Sequence, residues 1–173
     1  MGSRFPFFVF QIVGYKHSGK TTLMEKIIKA LEKEGLRVGT FKHHGHGGFP
    51  DIMENQNDSE KHRLAGAVVS GVEGEGLLQL VGKQSTWSLD EVLSAYESFH
   101  LDVVLVEGCK AATFPKCVLL RGREDMDLLD LPAVEVVITK ETIKESWSVP
   151  CFRREEEEQY IPWLIRHVKE RRS

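Results

Sequence analysis

Residues 14 to 21 read Gly-Tyr-Lys-His-Ser-Gly-Lys-Thr, the pattern G-x-x-x-x-G-K-[ST] of a phosphate-binding P-loop. The flanks carry the same message. Phe7 to Val13 is almost continuously apolar, as a parallel strand covered on both faces must be. From Thr22 onward, apolar residues fall at 23, 24, 27, 28 and 31, one face of a helix, with Gly35 placed as its C-cap. Strand, glycine-rich loop and helix in that order predict a nucleoside triphosphate site. Gly14 and Gly19 permit close backbone approach. The amides of Tyr15, Lys16, His17, Ser18 and the helix start at Thr21 and Thr22 point at phosphate. Lys20 supplies an ammonium to the terminal phosphates, and the Thr21 hydroxyl is a ligand for Mg²⁺.

Length and charge set bounds around this core. The 173 residues predict one nucleotide-binding domain spanning 1–173. A net charge of −3 gives no basic field for nucleic acid, so no nucleic-acid partner is expected. Three cysteines, an odd count without C-x-x-C spacing, suit a reducing cytoplasmic compartment. The apolar stretch near the start leads straight into the loop without a cleavage signal, and nothing is long enough to span a membrane, so no membrane partner is expected.

Further along, Leu36 to Phe41 reads as a second strand. A connection of about sixteen residues follows, Lys42 to Asn57, and connections of that length often carry function. Lys42 is its best-placed polar group. His43, His44 and His46 could hold a transition metal, contact phosphate or a partner, or be solvated, and no nearby cysteine or spaced carboxylate completes a metal shell. Asp58 or Ser59 is the N-cap of a short helix ending at Gly66; Asp58 either caps that helix or serves Mg²⁺ directly or through water. Two runs, Val68–Ser70 and Leu77–Val81, flank a Gly-rich turn at 71–76 and read as a hairpin not of the two-residue type. Ser88-Leu89-Asp90-Glu91 is a capping box for a helix to about Phe99.

Leu101 to Gly108 is a buried strand ending in an acid. Beside a P-loop, Glu107 at the carboxyl edge is expected in catalysis or in the metal shell, and Lys110 faces the same cleft. Cys109 has no activating neighbour in sequence and is expected to be inert. Cys117–Arg121 and Val134–Thr139 supply two more strands, joined by a charged segment, Gly122 to Pro132, expected to be a mobile loop. Thr139-Lys140-Glu141-Thr142 falls where many guanine-binding GTPases carry N-K-x-D: Lys140 stands, but the base-reading acid is Thr142. Val149 to Phe152 reads as a further short strand or a base-side loop. A closing helix follows, starting in the acidic run 155–158 or, alternatively, with Pro162 in its first turn.

Four stretches together resemble the molybdopterin-guanine dinucleotide biosynthesis protein B family of P-loop GTPases: V-G-Y-K-H-S-G-K-T-T-L at 13–23, F-K-H-H-G-H at 41–46, D-S-x-x-H-R-x-A-G-A at 58–67 and L-V-E-G-C-K at 105–110. Cys109 departs from the family's usual Phe. The expected fold class is α/β, a P-loop NTPase with a mostly parallel twisted sheet flanked by helices and an additional short β-hairpin. The resemblance implies a cytoplasmic, homodimeric GTP-binding protein with weak GTPase activity. It would assist the guanylyltransferase that joins a guanine nucleotide to molybdopterin, and molybdopterin itself is a possible ligand. Other readings are a metal-delivery GTPase using the histidines, a small-molecule kinase, and a non-hydrolysing adaptor. No water-orienting Gln or arginine finger is identifiable by position, so slow turnover is expected.

Overall fold

The computed structural model describes residues 4–43, 58–141 and 148–172, and the described chain divides into two compact units, 1–45 with 89–173 and 46–88. The larger unit is built on a six-stranded sheet. In chain order its strands are β1 (Phe8–Gly14), β2 (Val38–Lys42), β5 (Val103–Glu107), β6 (Lys116–Leu120), β7 (Val134–Thr139) and β8 (Cys151–Arg153). They lie in the order β2-β5-β1-β6-β7-β8, and every adjacent pair is parallel. All six carboxyl ends therefore meet at one edge, with β1 near the middle.

The apolar runs of the sequence follow from two-sided burial. Phe8, Phe10 and Ile12 of β1 join Leu23, Met24, Ile27 and Leu31 of α1 (Lys20–Lys33) and Tyr160, Leu164 and Val168 of α4 (Glu157–Arg171) in one cluster. Phe7 and Val9 point the other way, into a cluster with Leu93 of α3 (Leu89–Tyr96). Val13, Val118 and Leu120 pack on Leu128 on that opposite side. Fully burying a side chain such as Ile27 or Leu31 contributes roughly 1.5–3 kcal/mol each, so α1 is fastened firmly and its N-terminus is fixed against β1.

The smaller unit holds α2 (Asp58–Leu64) and an antiparallel pair, β3 (Val69–Gly74) and β4 (Leu77–Gly82). The hairpin exists as expected, but its turn does not. Gly74 pairs with Leu77, so the turn is the two residues Glu75 and Gly76, both with positive φ, 52° and 81°. That is the backbone signature of a tight hairpin turn whose twist matches the strands; residues 71–74, expected in the turn, belong to β3.

Two further expectations change. The charged stretch after β6 is not a loop throughout: Arg123–Asp130 is a 3₁₀ helix that buries Asp125 and Leu128. Pro162 does not start the last helix but lies inside α4, in its second turn. The first-turn acids of α4 are Glu157 and Glu158, with Lys169 and Arg171 at its end, in the sense the helix dipole favours.

Candidate functional site

The site grows from the junction of β1 and α1. Gly14 closes β1 where a Cβ would lie 2.4 Å from Ser18 Oγ and 2.9 Å from the Leu119 carbonyl oxygen, so only glycine fits. The chain then turns through His17 and Gly19, both left-handed at φ 63° and 89°. Gly19 stands at the N-cap of α1 without a side-chain cap, which leaves the first-turn amides to a ligand or solvent. The other described α-helices carry acids in their first turn; α1 carries none. The positive end of its dipole is not neutralised there.

Lys20 folds back over this turn and donates to the carbonyls of Gly14 at 3.1 Å and Tyr15 at 2.8 Å. Burial pushes its pKa below the usual lysine value. The Glu107 carboxylate opposes that shift, while the cations Lys110, Lys42 and Arg121 add to it. Glu107 ends β5, next to β1, and is buried. It accepts from the Thr21 hydroxyl at 3.2 Å and lies 3.5 Å from Lys42 Nζ. The β2–β5 register dictates the second contact, since Lys42 and Glu107 are direct partners. Hydroxyl and carboxylate oxygens are the hard donors that Mg²⁺ takes, so Thr21 and Glu107 fit that ion.

Tyr15 forms the outer wall. Lys110 Nζ sits 3.6 Å from its ring centre, Arg121 approaches at 5.5 Å, and its hydroxyl donates to Asp127. That hydrogen bond, with burial second, raises the phenol pKa. Arg121 is held by Asp125, which accepts from its Nη2 at 2.6 Å, its Nε at 2.9 Å and its backbone amide at 2.8 Å. The 3₁₀ segment thereby supports the loop.

Lys20, Thr21, Glu107, Lys42 and Lys110 are thus brought together with Gly14, Tyr15, Ser18 and Gly19. Lys16, His17 and Thr22 are exposed on or beside the loop. Lys140 is exposed just past β7, its amide bonded to the Leu120 carbonyl at 3.1 Å. Thr139, in the Asn position of N-K-x-D, spends its hydroxyl on the Glu141 carbonyl at 2.9 Å. Asp58 stands in the smaller unit, first in α2, with its carboxylate 2.9 Å from Lys61 Nζ. Of the three histidines only His43 is described; His44, His46 and Thr142 lie outside the described residues. Among the described residues no cluster of three His, Cys, Asp or Glu side chains occurs. Cys109 has its pKa raised by burial, in keeping with an inert thiol.

Two participants are invisible in the local pattern. Gln11, fully buried in β1, donates to the carbonyls of Gly108 at 3.0 Å and Cys109 at 2.8 Å. It pins the left-handed turn that follows Glu107 (φ 96° and 54°). Arg154, after β8, donates to the Ser18 carbonyl. Only the break that Gln11 makes in an apolar run could have drawn attention to it; Arg154 sits in a charge run that gives no such signal.

Fold and site together define a parallel α/β protein whose candidate site surrounds a glycine-rich loop of P-loop sequence at the sheet's carboxyl edge. Comparison with known proteins gives the family. The chain belongs to the molybdopterin guanine dinucleotide synthesis protein B (MobB) family, whose model matches residues 9–140. It is 37% identical over 153 residues to a Bacillus subtilis protein described as a "probable molybdopterin-guanine dinucleotide biosynthesis adapter protein", covering 87% of this chain and 88% of that one. It is 35% identical over 107 residues to the Escherichia coli molybdopterin-guanine dinucleotide biosynthesis adapter protein, covering 60% of each. A MobB homologue from Bacillus stearothermophilus superposes with TM-score 0.79 at 44% identity, covering 94% of this chain and 99% of that one. Bacillus subtilis MobB superposes with TM-score 0.78 at 34% identity, covering 96% and 99%. The mostly parallel sheet flanked by helices, with its separate hairpin, is therefore the family's fold.

Proposed function

We propose that this protein binds GTP with Mg²⁺ at the loop 14–21 and acts as an adapter for the guanylyltransferase that joins a guanine nucleotide to molybdopterin. The observation that carries the reading is the Thr21–Glu107 pair at 3.2 Å beside the Lys20 ammonium, on a loop whose helix has no first-turn acid. In this reading the loop amides and Lys20 hold phosphates, and Thr21 and Glu107 hold the metal. Lys42, Lys110 and Lys140 supply further positive charge. The adapter role follows the names of the curated relatives. Turnover is slow, because among the described residues no side chain is marked by its position to orient an attacking water.

The protein works as a homodimer in the same reading. An isolated two-stranded hairpin is marginally stable in water. Here β3 and β4 leave Val72, Leu77, Leu78 and Leu80 exposed, with Leu77 at 76%. A surface of that kind gains from a second copy. Among the described residues no helix is long and apolar enough to cross a membrane.

The test is Lys20→Ala in equilibrium GTP titration. Loss of a charge-assisted contact is worth roughly 1.5–3 kcal/mol, about ten- to a hundredfold in affinity. Unchanged affinity in a folded variant would remove the triphosphate site.

A further inference from the structure

Arg154 differs from the arginines around it. Arg121 is neutralised by Asp125, and Arg153 by Glu155 and Glu156. Among the described residues Arg154 has no carboxylate partner, and of the five N–H donors of a guanidinium its side chain spends one on the Ser18 carbonyl. The group lies against the backbone of Gly19, where a Cβ would meet Nη1 at 3.1 Å and Cζ and Nη2 at 3.3 Å. Its own amide donates to the Thr139 carbonyl at 2.8 Å, which anchors the residue to the end of β7. Beside it opens a cavity of about 110 Å³. α1 forms one wall with Thr22, Leu23 and Lys26, the last paired with Glu157; Leu119 and Ile138 at the ends of β6 and β7 form the floor, and Tyr160 closes the far side.

A cleft with an apolar floor, polar groups on its α1 wall and one planar, unneutralised fork at its rim suits a flat heterocycle with paired acceptors on one edge. Guanine presents such an edge in O6 and N7, which a guanidinium meets with two parallel hydrogen bonds. Adenine replaces the first acceptor with an amino donor and sets donor against donor. The carboxylate that would otherwise read N1 and the 2-amino group is absent from the sequence, because Thr142 takes its position. We propose that Arg154 is the base-reading residue, turning from the Ser18 carbonyl to the O6/N7 edge of a guanine nucleotide. This rests on the triphosphate reading above and adds which edge is read and by what. Hypoxanthine keeps O6 and N7 and lacks only the 2-amino group, so ITP should satisfy the site as GTP does.

The experiment measures equilibrium binding of GTP, ITP, ATP and tripolyphosphate, each with Mg²⁺, to the full chain and to its Arg154→Ala and Arg154→Lys variants. In the unaltered protein ITP should bind within about threefold of GTP and ATP about tenfold or more weaker, the size of one bidentate pair. Both variants should bring GTP down to the ATP level while ATP and tripolyphosphate stay within about twofold. Arg154→Lys keeps the charge and removes the fork, and tripolyphosphate binding reports that the loop is intact. Equal losses for GTP, ATP and tripolyphosphate would make Arg154 a phosphate contact and overturn the proposal. So would GTP affinity unmoved in both variants, or an unaltered protein that rejects ITP as strongly as ATP. Absence of binding by any of the four compounds to the unaltered protein would overturn the triphosphate reading itself, and this inference with it.

Discussion

The Thr21 hydroxyl lies 3.2 Å from one carboxylate oxygen of Glu107 and 3.4 Å from the other, so the first turn of α1 and the last residue of β5 converge on one point. If that point is the metal's, Glu107→Gln keeps the shape and removes the charge. Nucleotide affinity measured with a chelator should not fall, since the variant removes a negative charge beside Lys20 and Lys42. The tightening produced by Mg²⁺ should shrink roughly ten- to a hundredfold, the usual loss when a metal's protein shell is damaged. Superimposable Mg²⁺ titrations for both proteins would show that Glu107 has only a packing role.

A backbone test of the loop separates strain from chemistry. Gly14→Ala places a methyl group 2.4 Å from Ser18 Oγ and 2.9 Å from the Leu119 carbonyl oxygen. The serine can rotate, but the carbonyl belongs to β6 and cannot move alone. A destabilisation of about 1–3 kcal/mol is expected, as for overpacking elsewhere, together with weaker nucleotide binding. Gly74→Ala is the control, since a Cβ there meets nothing within 4 Å. Urea midpoints that fall equally for the two variants would contradict this account.

How much of this was legible beforehand depends on whether local pattern or distant contact decides. The loop, its helix and Glu107 were readable because each is local: a spacing, a period, an acid ending an apolar run. The hairpin turn was not, because G-V-E-G-E-G offers several glycines that tolerate positive φ. Cross-strand pairing, with Gly74 opposite Leu77, selects Glu75–Gly76. The 3₁₀ segment was hidden by its charges, and only its packing shows that Asp125 is buried against Arg121. Gln11 and Arg154 act on residues about a hundred positions away, |i−j| of 97 and 136. No windowed reading reaches that far.

The Asp125–Arg121 pair makes a prediction about acid. Hydrogen bonds from Arg121 hold the Asp125 pKa below its ordinary 3.8, with burial opposing. A group depressed in the fold contributes stability that is fully present above its unfolded pKa and is lost as pH falls through the lower folded value. Asp125→Asn should therefore lower the urea midpoint at neutral pH, and the gap between variant and parent should close as pH drops below 3.8. Because Asp125 steadies Arg121 beside the Tyr15 ring, nucleotide affinity should fall modestly as well. A gap that stays constant from neutral to acid would show that packing, not the carboxylate charge, is what the variant lost.

Lys42 and His43 offer the test of adapter against self-contained enzyme. The Lys42 side chain is 62% exposed, and its Nζ lies 3.5 Å from the Glu107 carboxylate. Solvent screens a charge on so exposed a side chain, so its loss should change nucleotide affinity by at most about fivefold, roughly 1 kcal/mol. The His43 backbone amide donates to the Glu107 carbonyl at 3.0 Å, a bond that survives truncation of the side chain. Changing both to alanine should thus leave the triphosphate site standing while removing a mobile ammonium and an imidazole from the rim. A flexible ammonium can follow a phosphate-bearing pterin passed between two proteins. Stimulation of the molybdopterin guanylyltransferase by the double variant should accordingly fall sharply while GTP binding persists. Parallel loss of both would mean that the rim only shields the nucleotide. Full stimulation with GTP binding intact would mean that these two side chains take no part in the transfer.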